Sequence, residues 1–153
     1  MNWNGKETAL FQQQKEYIDT AMVPLVPADF GAGMIQSAEQ YEFVQLLVVF
    51  LERQFKGRVL TTPPHAYLTD SPNRLAEAKK WSEKLRGAGF KHVFFFTADS
   101  AWRDKEEELN ASVIWIPSVP LGDMDDSIKY SIIENQAKQI VNIIVQKWQG
   151  YAE

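Results

Sequence analysis

The sequence predicts an α/β protein in which about four parallel strands lie between layers of helices, with an extra helix at the N-terminus. Short apolar stretches alternate along the chain with longer polar or amphipathic segments. The run Val93–Phe96 is continuously apolar, as in strands covered on both faces. Right-handed crossover connections then favour a three-layer α-β-α fold of the flavodoxin-like or Rossmann-like type, with strand order 2-1-3-4.

Size and composition indicate a single α/β domain spanning residues 1–153, with 45% apolar and 24% charged residues. The chain contains no cysteine, which excludes disulfides and thiolate chemistry and favours a cytoplasmic location. Residues 1–8 lack the apolar core of a signal peptide, and the longest apolar run, Leu46–Leu51, is far shorter than the roughly 20 residues that cross a bilayer. A net charge of −4 without a basic cluster argues against nucleic-acid binding. We therefore expect neither a nucleic acid nor a membrane as partner.

The first two elements are predicted to be a helix and a strand. The polar, glutamine-rich segment 6–17 indicates a peripheral helix. The segment Ala21–Pro27 is short and apolar and indicates a buried strand. A central position in the sheet would require Pro24 to lie at a strand end or a bulge, because proline lacks a backbone N–H.

The second helix is predicted to be long and apolar on nearly all sides. Ser37 stands three residues before Gln40, a capping-box spacing that indicates the helix start, and Gly57 supplies a stop. We expect the N-terminal helix and a crossover helix to cover its second face; the alternative is a homodimer or protein-partner interface. The apolar side chains are Tyr41, Phe43, Val44, Leu46, Leu47, Val48, Val49, Phe50 and Leu51.

The middle of the chain is predicted to form a strand and a third helix. The β-branched and apolar segment 58–62 indicates the second strand, which Pro63–Pro64 should end because two backbone donors are missing. Ser71–Pro72 indicates the start of the next helix, with proline in the first helical position, and Gly87 and Gly89 indicate its end.

The last third of the chain is predicted to supply two more strands and the final helix. The segment 91–97 should be the central strand, 101–109 a short charged helix or turn, and 112–116 the fourth strand. Apolar residues at three- and four-residue spacing between 128 and 148 indicate an amphipathic helix. Asp123, Asp125 and Asp126 suit its N-terminus better than a calcium loop, whose glycine and distal glutamate are missing.

Ligands of open α/β sheets bind beyond the carboxyl ends of the strands, so the loops at that edge should hold any site. The candidate ligand-binding residues in these loops are Asp29, Gly31, Gly33, Ser37, His65, Thr97, Asp99 and Ser100. The sequence indicates no catalytic residue, no resident cofactor and no metal ligand.

The glycine loop after the first strand is the first part of this candidate site. Gly31-Ala32-Gly33 with Gln36 in place of a third glycine is an incomplete dinucleotide fingerprint, which favours a flexible turn before a helix. The backbone amides of residues 33–37 could still bind a small anionic ligand at the helix N-terminus.

The histidine after Pro63–Pro64 is the second part. His65 shares the expected rim with Asp29, Asp99 and Ser100, where a base, a carboxylate and a hydroxyl could converge. The favoured interpretation is that the two prolines and His65 form only a rigid loop.

Two functions follow from these observations. The first is a non-catalytic binding or protein-interaction module, since catalytic motifs are missing. The second is a small enzyme or sensor acting on a nucleotide-like or phosphorylated metabolite at the carboxyl ends of the strands. Further aromatic candidates for contact surfaces are Trp3, Trp81, Trp102 and Tyr151.

Several segments also resemble a known family. Trp3, the stretch 14–21 running into Val23–Pro27, and Thr62–Pro64 resemble the YpiF-like family of small uncharacterised proteins from Gram-positive bacteria, and the resemblance runs the length of the chain. It implies a bacterial cytosolic protein and carries no activity, cofactor or catalytic residue.

Overall fold

The computed structural model describes residues 1–150. The helices are α1 (Gly5–Gln13), α2 (Met34–Gln54), α3 (Arg74–Gly87), α4 (Glu106–Leu109) and α5 (Asp126–Gln149), and a 3₁₀ turn covers Ser100–Trp102. The strands are β1 (Thr20–Ala28), β2 (Val59–Thr61), β3 (His65–Leu68), β4 (His92–Thr97) and β5 (Ser112–Trp115). Within residues 1–150, no helix has both the length and the apolar character that crossing a membrane requires.

The strands form one parallel sheet. β1 pairs with β4 on one side and with both β2 and β3 on the other, and β5 lies beyond β4. Counting β2 and β3 as one interrupted strand, this is the predicted order 2-1-3-4.

Helices cover both faces of the sheet because side chains along each strand alternate between them. Phe94 and Phe96 pack with α2 and α5 on one face, whereas Phe95 packs with residues of α1, α3 and α4 on the other. The prediction of a three-layer α/β fold is therefore confirmed. The expected cover of α2 by the N-terminal helix is wrong: Phe11 of α1 stacks on Phe90 on the opposite face, 5.2 Å between ring centroids.

The edge strand does not end at Pro63–Pro64, contrary to the prediction. Pairing with β1 stops after Thr61 opposite Met22 and resumes at His65 opposite Leu25. Four residue steps on the edge strand therefore face three on β1, so the edge carries one extra residue, as in a β-bulge. The prolines remove two donors but only interrupt the pairing.

Pro24 lies in the middle of central strand β1, paired in register with Phe96 rather than at a strand end. Met22 and Ala28 accept hydrogen bonds from the edge strand through their carbonyl oxygens. Because alternate residues of a strand direct N–H and C=O to the same neighbour, Pro24 faces that edge strand too. The missing N–H of Pro24 therefore faces the stretch at Pro63–Pro64 where the edge strand is not paired with β1, so no sheet hydrogen bond is lost.

Two helices begin at other residues than predicted. α2 begins at Met34, so Ser37 lies within its first turn and is not the N-cap. α3 begins at Arg74, two residues beyond Pro72, and the Ser71 hydroxyl accepts the Asn73 N–H. The start of α5 agrees with the expectation, since Asp125 is the N-cap and its Oδ1 accepts the Ile128 N–H at 3.1 Å.

Candidate ligand-binding cleft

A cleft of about 450 Å³ lies beyond the carboxyl ends of β1, β4 and β5. The chain leaves β1 through α2 toward β2 on one side, and it reaches β4 on the other side through α3. The cleft thus lies where the strand order reverses, the usual ligand position in such sheets. Its lining residues are Pro27, Asp29, Gly33, Gln36, Ser37, Gln40, Thr69, Ala98, Asp99, Ser100, Trp115, Pro117 and Ser118.

Asp29 closes the glycine loop with its own carboxylate. Its Oδ1 accepts the Gly31 N–H at 2.8 Å, and its N–H donates to the Ser37 hydroxyl at 3.3 Å. A Cβ added at Gly33 would overlap with Asp29 Oδ2, so a larger residue there would force the carboxylate to turn away from its position. The N-terminus of α2, where an anion was expected to bind, therefore has a negative side chain of the protein beside it.

Asp99 is held by a buried hydrogen-bond chain. The Tyr67 hydroxyl donates to Asp99 Oδ2 at 2.6 Å and accepts the indole N–H of Trp102 at 2.8 Å. Asp99 Oδ1 accepts the Ala101 N–H at 3.0 Å. Burial, reinforced by the bond to Asp99, raises the pKa of Tyr67 far above its ordinary value, so this hydroxyl keeps its proton and remains a donor. These contacts fix the carboxylate on the wall of the cleft.

The other predicted residues of this loop have different roles. Ser100 is exposed and lines the cleft. Thr97 is fully buried, and its hydroxyl accepts the Asp99 N–H at 3.0 Å. Thr97 therefore stabilises, from its buried position, the loop that carries Asp99.

His65 is separated from this cleft and does not converge there with Asp29, Asp99 and Ser100. It lies in β3 opposite Leu25, four residues and thus about 13 Å along β1 before Asp29. Its ring packs against Trp81 with 4.9 Å between centroids, and burial lowers its pKa. Ending the edge strand at the prolines had assigned His65 to a loop.

The sequence interpretation missed several lining residues. Gln36 and Gln40 lie one helical turn apart on α2, a spacing that could have revealed a polar side facing the cleft. Thr69 directly follows β3, which was not predicted as a strand. Trp115 ends β5, where its indole N–H donates to the Ala98 carbonyl at 3.2 Å and Arg103 stacks 4.4 Å from its ring centroid.

The apolar surface of α2 is largely covered by α5, which packs with it over the same core. Tyr41 and Val49 remain exposed, each at 45%. α5 thus supplies the cover that was expected from the N-terminal helix and a crossover helix. Of the aromatic contact candidates, Trp3 is exposed, Trp81 is half-buried and Trp102 is buried, while Tyr151 lies outside the described residues.

Comparison with known proteins identifies the family. The profile of the family described as "Protein of unknown function (DUF2487)" matches residues 9–148. The chain belongs to the DUF2487 family. "Uncharacterized protein YpiF" of Bacillus subtilis (strain 168) is 36% identical over 148 residues, covering 97% of this chain and 98% of that relative. The resemblance seen in the sequence is thereby confirmed. No solved structure matches this DUF2487 chain.

Proposed function

We propose that this DUF2487 protein is a non-catalytic binding protein that holds a small polar molecule in the strand-end cleft. The observation that carries the proposal is the position of the cleft at the reversal of strand order, where parallel sheets bind their ligands. Its volume of about 450 Å³ is within the range of small-molecule sites.

The lining supports a polar ligand. Asp29 and Asp99 offer carboxylate oxygens, and Ser37 and Ser100 offer hydroxyls. Gly31 and Gly33 shape the loop that carries Asp29, and buried Thr97 supports the loop that carries Asp99. We assign the direct ligand contacts to the four lining side chains.

The arrangement favours binding over catalysis. A nucleophile must lie within hydrogen-bond reach of a base, and the Ser37 hydroxyl instead donates to the Met34 carbonyl at 3.2 Å and accepts the Asp29 N–H. Among the residues that the structure describes, no histidine lines the cleft. A phosphorylated substrate is also disfavoured, because the Asp29 carboxylate lies beside the N-terminus of α2 and would repel a phosphate there.

The experiment is a titration of ¹⁵N-labelled protein with a library of amines, polyols, nucleosides and phosphorylated metabolites, followed by backbone-amide NMR. We expect at least one compound class to shift the amides of Asp29, Ser37, Asp99 and Ser100. Ser118→Trp should fill the cleft and abolish these shifts, whereas Ser131→Trp on the exposed side of α5 should preserve them. If every compound leaves the cleft amides unshifted at millimolar concentration, the proposed function is wrong.

A further inference from the structure

We propose that the ligand of the cleft carries a positively charged amino group, so that the cleft selects organic ammonium ions over neutral or phosphorylated molecules of similar size. This inference rests on the proposed function and names the chemical class of its ligand.

The charged residues that line the cleft are both acidic. Asp29 follows β1 and Asp99 follows β4, and these strands are neighbours about 4.8 Å apart. No lysine or arginine is among the lining residues within the described part of the chain. A recess walled by two carboxylates concentrates cations and repels anions.

Two guanidinium groups contact residues of the cleft wall but are not among its lining residues. Arg74 donates to the Thr69 carbonyl, and Arg103 stacks over the ring of Trp115. Both are engaged with groups of the wall, so neither is placed to neutralise the two carboxylates from within the cleft.

The two carboxylates are prepared to accept further hydrogen bonds. Asp99 receives one donor on each oxygen, from Tyr67 and Ala101, and Asp29 receives the Gly31 N–H on Oδ1. A carboxylate has about four acceptor positions, and an ammonium group has three donors and no acceptor. The unused acceptor positions of both carboxylates therefore suit an ammonium group, which only donates.

The same geometry disfavours the two other charged classes of ligand. A phosphate would meet Asp29 Oδ2 at the loop where backbone amides would otherwise bind it. A divalent metal ion needs several oxygen ligands, and within residues 1–150 no group of three or more metal-binding side chains occurs.

The test uses pairs of probes that differ only in charge. Tyramine is compared with tyrosol, and putrescine with 1,4-butanediol, with ribose 5-phosphate and magnesium chloride as further arms. Dissociation constants come from amide-shift titrations at low ionic strength. We expect each amine to bind at the cleft at least about tenfold more tightly than its alcohol, the effect of one hydrogen bond to a charged group.

Variants assign the effect to the carboxylates. Asp29→Asn and Asp99→Asn should each weaken amine binding about tenfold and weaken alcohol binding by a smaller factor, so that the preference for the amine shrinks. Glu83→Gln, an exposed acid-to-amide change on α3, should alter neither. Because Asp99 also accepts the Tyr67 hydroxyl, thermal unfolding of each variant is measured, and Asp29→Asn serves as the second variant if Asp99→Asn does not fold.

The outcomes separate this inference from the proposed function. Equal binding of amine and alcohol, tighter binding of ribose 5-phosphate, or cleft shifts with magnesium but not with the amines would each overturn the ammonium selectivity while leaving the cleft as a binding site. If neither the probes nor the library shifts the cleft amides, the proposed function fails as well.

Discussion

Tyr67→Phe removes a single hydroxyl that links the buried core to the cleft. The hydroxyl donates to Asp99 Oδ2 at 2.6 Å and accepts the Trp102 indole N–H at 2.8 Å. Tyr67 and Trp102 are 5% and 2% exposed, so water cannot replace the lost partner without rearrangement. The ring volume is preserved, and the cost is therefore that of the hydrogen bonds.

The magnitude follows from the surroundings of the two partners. A hydrogen bond to a charged group contributes about 1.5–3 kcal/mol, and Asp99 belongs at the lower end because it is half-buried and can turn to solvent. A buried donor without a partner costs about 1–3 kcal/mol, which applies to the Trp102 indole. We expect the free energy of unfolding to fall by about 3 kcal/mol in total, a measurable part of the roughly 5–15 kcal/mol of a typical domain.

The assay is equilibrium urea unfolding at pH 7, followed by tryptophan fluorescence. Tyr130→Phe is the matched control, because Tyr130 is exposed on α5 and its change should stay within about 0.5 kcal/mol. In a Trp102→Phe background the unpaired indole is gone, so Tyr67→Phe should cost about 1.5 kcal/mol less. A loss below about 0.5 kcal/mol, or an equal loss in both backgrounds, would refute the hydrogen-bond chain.

Three further changes test other parts of the structure. Gly33→Ala places a Cβ against Asp29 Oδ2, so the carboxylate must turn away and give up the Gly31 N–H, which should lower the free energy of unfolding by about 1 kcal/mol, measured by urea unfolding. His65→Phe should make the loss of stability below about pH 6.5 shallower: burial lowers the pKa of His65, so the unfolded chain binds the proton first, and the stability contributed by neutral His65 is present above that pH and lost as the pH falls. Asp125→Ala removes the N-cap of α5 and should cost about 1 kcal/mol in thermal unfolding.

Each of these changes has a control or a contrary result. Gly31→Ala is matched to Gly33→Ala, since its Cβ would meet Asp29 Oδ1 at an ordinary 3.4 Å, and an equal cost at both positions would contradict the steric argument. If His65→Phe leaves the fall of the free energy of unfolding at acidic pH unchanged, groups other than His65 cause that fall. Asp125→Ser should keep most of the stability that Asp125→Ala loses, because serine also caps helices. If the two variants lose the same amount, the capping argument is contradicted.

Much of the fold could be predicted because local signals were strong. The apolar run at Phe94–Phe96 marked a strand covered on both faces, and the crossover rule gave the position of β1 between its neighbours. The cleft could be predicted in part: Asp29, Ser37, Asp99 and Ser100 do come together, because the ends of adjacent parallel strands share one edge of the sheet. His65 did not join them, since the edge strand continues past the prolines.

The sequence by itself determined the order of helices and strands apart from β3, the apolar alternation that splits the core between two faces, and the family resemblance. Only the tertiary structure decided that Pro24 lies opposite Pro63–Pro64, that the Asp29 carboxylate accepts the Gly31 N–H, and that the Tyr67 hydroxyl donates to Asp99. The physical reason is the separation along the chain of the residues that interact. Propensity, capping and periodicity act over a few neighbouring residues, whereas pairing register and the lining of a cleft depend on contacts such as the Tyr67–Asp99 bond, which joins residues 32 positions apart.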